Sequence, residues 1–583
     1  MKLELLKGSR TRILAAVILA IVAIFVVRLF YLQVIKHDYY VGLAKAEQES
    51  RFVIPASRGE IYAKNGTDPV PMVMNETVYT VFADPVTVDD KAKVVDTLRQ
   101  VAGGNVRTDF DKLLDNKNSR YQVLANKLTR VQADKIKAVN LHGIGFQAVS
   151  QRVYPEGALG AQILGFVDTT GQGQYGLEGY ENGVLKGVDG YLQAVTDVSN
   201  VPLTIGNDNI SVPKQDGKNI VLSVDRNVQS HVESALAAGL QKNGAKKGSV
   251  LVMDPTNGKV LAMANLPTYD PGNYGQVADV AAFNNDTVSA PYEPGSDVKT
   301  YTLATGIDKG VVKASDTYNN TDHIKIGDIT VSNATLGHTG NITFQTALTW
   351  SLNTGFVTIA ERLGDGTNIT KSARDVMYDY FHNRLGLGSL TGIELANEAP
   401  GTVIAPDDPS GDGNAVRYSN MAFGQGLDAT LIQVASGFSA LVNGGNYYKP
   451  TVVDGYMTDS GYKQNPTPAP LRANVVAKST SDQVKQATHD ARATSFGKTD
   501  KAGYYIGGKT GTSQVIINGQ YSSTETVGTY LGYGGGSEDA PRYVIMVQVS
   551  GADQLLGGAQ DALPIFTDIS NWMLDYLKIQ PKG

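Results

Sequence analysis

The chain has no cysteine. That excludes disulfides, thiolate metal sites and a cysteine nucleophile. Its 583 residues hold only seven histidines: His37, His142, His231, His323, His338, His382 and His489. No two are close neighbours in sequence, so no short-spaced histidine metal motif is present. Basic residues are not in excess either: 51 Lys and Arg stand against 57 Asp and Glu, a net charge of -6. No surplus of cations exists to neutralise a phosphate backbone, which argues against nucleic acid as a partner. The chain shows no repeat of fixed period and no low-complexity tract. Beyond Tyr40 no run is long and apolar enough to span a bilayer.

What is present starts at the N-terminus. Lys2, Lys7, Arg10 and Arg12 precede an apolar stretch, Ile13–Ile35, broken only by Arg28 and one glutamine. The stretch is long enough for a membrane-spanning helix, with Arg28 reaching toward the interface. The alternative is a cleaved signal peptide. Val26-Val27-Arg28-Leu29-Phe30 is too bulky for a cleavage site, and the small pair Ala44-Lys45-Ala46 lies well past the apolar stretch. An uncleaved anchor over 13–35 is therefore expected. The basic flank puts residues 1–12 in the cytoplasm and the bulk outside.

The length predicts about two or three domains. Residues 36–218 form a mixed region. Helix signals fall at Asp90–Val101 and Val131–Val139, a strand signal at Val78–Ala83, and glycine-rich turns between Gly157 and Gly190. The pattern changes at Lys218. Asn219–Asp225 reads as a strand and Asn227–Leu240 as an amphipathic helix. Gly248–Asp254 and Lys259–Ala264 read as a hairpin joined by Pro255-Thr256-Asn257-Gly258. Tyr504–Gly508, Thr526–Tyr533 and Arg542–Val549 are further strands, and Ala562–Leu577 a closing helix. That order is the order of an α+β domain with a helix-flanked sheet, spanning 219–583.

Three short elements carry candidate chemistry. In the first, Glu293-Pro294-Gly295-Ser296-Asp297-Val298-Lys299, Ser296 and Lys299 share one face of a helix. A serine hydroxyl is a poor nucleophile until a base takes its proton, and a lysine is such a base once burial or nearby positive charge lowers its pKa. Ser-x-x-Lys alone is weak, since roughly two matches arise by chance. Ser211–Lys214, Ser460–Lys463 and Ser495–Lys498 match as well, each with Pro or Gly inside, which suits a loop. The plain reading of Ser296 is a helix cap with a solvated lysine one turn later. The second element is Ser351-Leu352-Asn353, after the helical Phe344–Trp350. Its hydroxyl and amide suit proton relay and carbonyl binding, or simply a polar turn. The third is Lys509-Thr510-Gly511-Thr512 after Gly507-Gly508. It offers a cation and two hydroxyls to a carboxylate, with Gly511 permitting close approach. Gly503 with Gly508-Lys509-Thr510 also satisfies a bare phosphate-loop spacing. Gly511 breaks any following helix, however, and Ser513–Ile517 continues as a strand.

Taken together and in this order, the three elements resemble the signatures of the penicillin-recognising serine enzymes. Glu293-Pro294-Gly295-Ser296 and Lys509-Thr510-Gly511-Thr512 are specifically similar to class B penicillin-binding proteins. Arg58-Gly59-Glu60-Ile61-Tyr62, Asn65-Gly66, Gly176-Leu177-Glu178, Asp254–Gly258 and Phe423-Gly424-Gln425-Gly426 with Thr430 and Gln433 extend the resemblance over nearly the whole chain. It implies an elongated pedestal over 36–218 and a β-lactamase-like transpeptidase domain over 219–583. It implies a peptidoglycan D,D-transpeptidase of division or elongation. Ser296 would attack the penultimate D-alanine of a donor stem peptide and release the terminal one. Lys299 would take the serine proton, Ser351 relay a proton to the leaving amine, and Asn353 hold the donor amide and orient Lys299. Lys509, Thr510 and Thr512 would bind the terminal carboxylate beside Gly511. The backbone N–H groups of Ser296 and Thr512 would form the oxyanion hole. No metal or organic cofactor is implied. β-Lactams are implied as covalent inhibitors, and a polytopic SEDS-family glycosyltransferase as a membrane partner. The alternatives in other classes are a D,D-carboxypeptidase or β-lactamase with water as acceptor, and a non-enzymatic β-lactam sensor or scaffold. A glycosyltransferase domain is excluded because 36–218 lacks its acidic signatures. One departure stands out: Asp297 occupies a position where the family usually has a small hydroxyl residue. It is expected to face away from the site.

Overall fold

The computed structural model describes residues 9–40, 49–195, 210–517, 519–536 and 541–582. The chain forms two compact units, Met1–Ser57 with Lys186–Gly217, and Arg58–Leu185 with Lys218–Gly583. In the first, the helix Ser9–Phe30 continues through a π-helical turn at Tyr31–Ile35. Its Leu19, Ile24, Phe25 and Val27 are exposed. A helix apolar all round is unsuited to a water-facing surface. Arg10–Ile35 is, among the described residues, the one helix long and apolar enough to cross a membrane. The same unit holds an antiparallel sheet of Glu49–Ile54, Gly190–Val195 and Ile210–Val212.

The second unit begins with β1 (Ile61–Asn65), β2 (Asp68–Ala83), α1 (Lys91–Ala102), β3 (Gln122–Leu128), α2 (Arg130–Ala138) and β4 (Ile144–Val153). Both helix starts follow from local chemistry. Asp90 accepts the Lys93 N–H at 2.9 Å, and Thr129 with Gln132 forms a capping box. β5 (Asn219–Asp225) opens the next stretch and pairs parallel with β1. One sheet, in the order β9-β8-β5-β1-β2-β3 with β4 on β2, therefore crosses position 218; β8 is Val453–Thr458 and β9 Gly461–Gln464.

The central sheet is antiparallel, in the order β7-β6-β12-β11-β10. These strands are Val260–Leu266, Lys247–Met253, Tyr543–Ser550, Gln520–Gly535 and Tyr505–Ile517 respectively. β6, β7 and β12 are mostly apolar because both of their faces are covered. Val250, Val252, Ile545 and Val547 pack with Val228, Val232 and Leu236 of α3 (Arg226–Asn243) and Phe566 and Ile569 of α8 (Leu563–Tyr576). The alternate residues Leu251, Met253, Val544 and Met546 face the other core, with α4 (Lys299–Asp308), α5 (Asn353–Arg362), α6 (Leu431–Val442) and α7 (Lys478–Phe496). The side-chain period of two thus splits one sheet between two cores. The α3 spacing at 228, 232, 235, 236 and 240 is the matching helical stripe. Every residue of α6 is buried, and its Val434 carbonyl accepts the Tyr301 hydroxyl from α4. That packing fixes α4, and with it Lys299, against the sheet.

Candidate active site

Local backbone constraints place Ser296. Pro294 leads into a short 3₁₀ turn, Gly295–Val298, that runs into α4. Gly295 has φ +57°, and a Cβ there would lie 2.8 Å from the Thr512 carbonyl oxygen. Only glycine suits that conformation and that contact. The Gly295 N–H donates to the Gly424 carbonyl at 2.9 Å. Glu293 accepts the Gly426 N–H at 2.6 Å and the Tyr521 hydroxyl at 3.0 Å. The segment Phe423-Gly424-Gln425-Gly426 is thus the floor on which the serine turn rests.

The three motifs meet at two amines. Lys299 Nζ lies 2.9 Å from Ser296 Oγ, 2.7 Å from the Ser351 carbonyl, 3.1 Å from Ser351 Oγ and 2.8 Å from Asn353 Oδ1. Lys509 Nζ donates to Ser351 Oγ at 2.9 Å, and to the Thr510 carbonyl and hydroxyl at 2.7 and 3.2 Å. Ser351 sits in the left-handed region at φ +56°, a conformation costing about 1–2 kcal/mol outside glycine. That turn brings its carbonyl and hydroxyl together onto Lys299. Asn353 is oriented by its own Nδ2, which donates to the Ser332 carbonyl at 2.9 Å.

Among the described residues, no carboxylate bonds Lys299. It is fully buried, and burial, then the Lys509 cation, push its pKa well below the ordinary lysine value, with Asp297 opposing. Two of its four partners, the Ser351 carbonyl and Asn353 Oδ1, are acceptors only. A neutral amine has two N–H groups for them and a lone pair left for the Ser296 proton. Lys509 is likewise lowered, to about 8, by burial against an opposing pull from Asp297.

Hydrogen bonds join six of the eight positions singled out by motif, Ser296, Lys299, Ser351, Asn353, Lys509 and Thr510; Gly511 and Thr512 follow on the same strand, Gly511 buried and Thr512 exposed. Gly511 permits a close approach of protein: a Cβ there would lie 2.7 Å from Asp297 Oδ2 and closer still to Thr529 Oγ1. Lys509–Thr512 runs mid-strand in β10, paired with Leu531–Gly528 of β11, so no helix follows the glycines as a phosphate loop requires. The competing Ser-x-x-Lys matches lie elsewhere. Ser211 is in an exposed strand, Ser460 in a turn between β8 and β9, and Ser495 in the last turn of α7 rather than in a loop.

Asp297 corrects an expectation. Its carboxylate bonds neither Ser296 nor Lys299, yet it is completely buried and acts electrostatically on both lysines. The side of the turn away from Ser296 is packed against β10 and β11. Sequence reasoning also missed Thr529, which donates to Asp297 Oδ2 at 2.6 Å, and Gly558, whose N–H donates to Thr512 Oγ1 at 3.1 Å. Neither lies in a motif; only strand register and a distant turn bring them in.

Among known proteins, the transpeptidase domain of penicillin-binding proteins matches over residues 248–571. The penicillin-binding protein dimerisation domain matches over 53–222. The chain is 29% identical over 582 residues to stage V sporulation protein D of Bacillus subtilis, covering 98% of this chain and 87% of that protein. It is 27% identical to the probable peptidoglycan D,D-transpeptidase PenA of Neisseria meningitidis, covering 97% and 93%. In fold it resembles a peptidoglycan synthetase from Bifidobacterium adolescentis, with a TM-score of 0.71 at 23% identity and coverage of 92% and 98%. Penicillin binding protein 3 of Mycobacterium tuberculosis, solved with aztreonam, gives 0.67 at 24% identity, covering 91% and 98%. The chain belongs to the penicillin-binding protein transpeptidase family, with the class B pairing of a dimerisation domain and a transpeptidase domain.

Proposed function

We propose that the chain cross-links peptidoglycan stem peptides through an acyl-enzyme on Ser296. The observation that carries this is the Ser296 hydroxyl 2.9 Å from a buried lysine amine whose partners among the described residues are all neutral oxygens. Ser296 Oγ attacks the carbonyl carbon of the penultimate D-alanine while Lys299 takes its proton. The backbone N–H groups of Ser296 and Thr512 stabilise the oxyanion, typically worth about a hundredfold or more in rate. Ser351 lies within reach of both lysine amines and passes a proton to the leaving nitrogen. The C–N bond breaks and the terminal D-alanine departs, leaving a serine ester. An amine of a second stem attacks that ester, and its proton returns through Lys299 to Ser296. Lys509, Thr510 and Thr512 hold the donor's terminal carboxylate beside Gly511, and Asn353 holds its amide. β-Lactams acylate the same serine.

The N-terminal helix anchors the protein in the membrane, with residues 1–12 inside and the catalytic portion outside. Its basic flank and apolar length support this. The region 36–218 serves as the pedestal and 219–583 as the transpeptidase portion, a division supported by the two family matches. A polytopic SEDS-family glycosyltransferase is the membrane partner that would supply glycan strands carrying the stems.

The test is labelling of the full chain with a fluorescent penicillin, followed by peptide mapping of the adduct. The adduct is expected on Ser296, and Ser296→Ala is expected to be unlabelled at an unchanged melting temperature. An adduct on Ser211, Ser460 or Ser495 would refute the assignment.

A further inference from the structure

Asp297 directly follows the nucleophile, and the reaction scheme gives it no task. Its side chain is fully buried. Oδ2 accepts the Thr529 hydroxyl at 2.6 Å, and Oδ1 is buried without a hydrogen-bond partner among the described residues. Thr529 stands on β11 opposite Gly511 of β10. Because Gly511 has no side chain, the Thr529 hydroxyl reaches over it to the carboxylate; a Cβ at 511 would collide with both. The pair therefore joins the nucleophile's turn to β11, the neighbour of the strand bearing Lys509, Thr510 and Thr512. A buried acceptor left half unsatisfied is costly, so this arrangement does not serve stability best.

We propose that Asp297, held by Thr529 across Gly511, is a positioning residue that acts through Lys299 and Lys509 and sets the pH at which Ser296 becomes nucleophilic. The groups facing it are Lys299 from α4, Lys509 from β10 and the phenols of Tyr292, Tyr301 and Tyr530. It is the carboxylate that acts on both lysines. When ionised it favours the protonated, non-nucleophilic form of Lys299; when neutral it releases that hold. Burial pushes the Asp297 carboxyl up to about 7, against the Thr529 hydrogen bond and the two lysines. The switch therefore operates near neutral pH, and with three coupled groups the ionisations belong to the set rather than to one residue.

The inference rests on Ser296 being the acylated residue. The experiment measures the rate of fluorescent-penicillin acylation of the full chain from pH 5 to 10, for wild type and two variants. Asp297→Asn keeps the size and removes the charge. It is expected to move the acid limb of the profile down by about one pH unit, so that the rate on that limb rises about tenfold. Thr529→Val removes the donor that favours the ionised carboxylate and is expected to move the limb the same way by less. An acid limb unmoved within about 0.2 unit, or a rate loss equal at every pH, overturns the proposal by reducing Asp297 to a packing role. If Asp297→Asn does not fold, Asp297→Thr carries the same test with the same criterion. Absence of labelling at Ser296 in the wild type would instead refute the proposed function, so the two failures are distinguishable.

Discussion

Two buried charged clusters lie in the same compact unit and are built on opposite rules. In one, Glu178 is completely buried between Arg58 and Arg152. Arg58 Nε donates to Oε2 at 2.8 Å, and Arg152 Nη2 to Oε1 at 2.6 Å. Both guanidinium groups also bond neighbouring asparagines, Asn182 and Asn75. Every charge there meets an opposite charge through a hydrogen bond. In the other, two lysines are buried against neutral oxygens, and the nearby carboxylate bonds a threonine. The first arrangement holds charge in place, because desolvation is offset by direct pairing. The second leaves desolvation uncompensated, so the amine holds its proton less tightly. Buried charge without a bonded counter-charge is thus the feature that separates the reactive cluster from the structural one.

The difference can be broken at several points. Lys299→Arg is expected to cut the acylation rate roughly 10²–10⁴-fold with little change in melting temperature, since a guanidinium cannot act as base. Near-normal acylation by stopped-flow would show that Lys299 is not the base. Glu178→Gln should do the reverse. It strands two largely buried arginines and should lower unfolding stability by about 3 kcal/mol in denaturant titrations. Acylation per folded molecule should stay within about twofold, because the cluster contributes packing only.

Two smaller effects sharpen the contrast. Lys509→Met removes the cation that depresses Lys299. The Lys299 ionisation should rise, and the acid limb of acylation should move up by about one pH unit. A downward movement would contradict the assigned electrostatics. The last effect is on stability. Asp297 has its carboxyl raised from 3.8 to about 7 by burial. Through that window the native state binds more protons than the unfolded chain, so wild-type stability is present below the lower value and is lost as pH rises through the upper one. Asparagine does not titrate. The stability of Asp297→Asn relative to wild type should therefore grow from pH 4 to pH 8, measured by thermal unfolding; a constant difference would show that Asp297 keeps an ordinary carboxyl.

Much of this site was legible because its chemistry is local in sequence. Ser296 and Lys299 are brought together by helical spacing, and Lys509 to Thr512 by one strand. The helix Asn227–Leu240 and the strand Asn219–Asp225 were legible from their periods alone. What stayed hidden depends on contacts distant in sequence. β5 starts at Asn219, where the sequence pattern changes, yet β5 pairs with Ile61–Asn65. No local pattern encodes that pairing. Asp297 looked free to turn outward because nothing in sequence shows that β11 lies behind the turn. The register that puts Thr529 opposite Gly511 is set by the whole β10–β11 hairpin. The support from Gly424 depends on a glycine at each side of a backbone contact, which appears in sequence only as glycine richness.

To serve as the base for Ser296, Lys299 must be a neutral amine in the resting enzyme. The most direct test is the pH titration of its side-chain carbon resonance in protein carrying ¹³C-labelled lysine, assigned as the signal lost in Lys299→Arg. At pH 8 this signal is expected to have the shift of an unprotonated amine already, with its titration well below the ordinary lysine value of 10.5. A Lys299 signal that stays in the protonated position through pH 8 and titrates near 10.5 would contradict it.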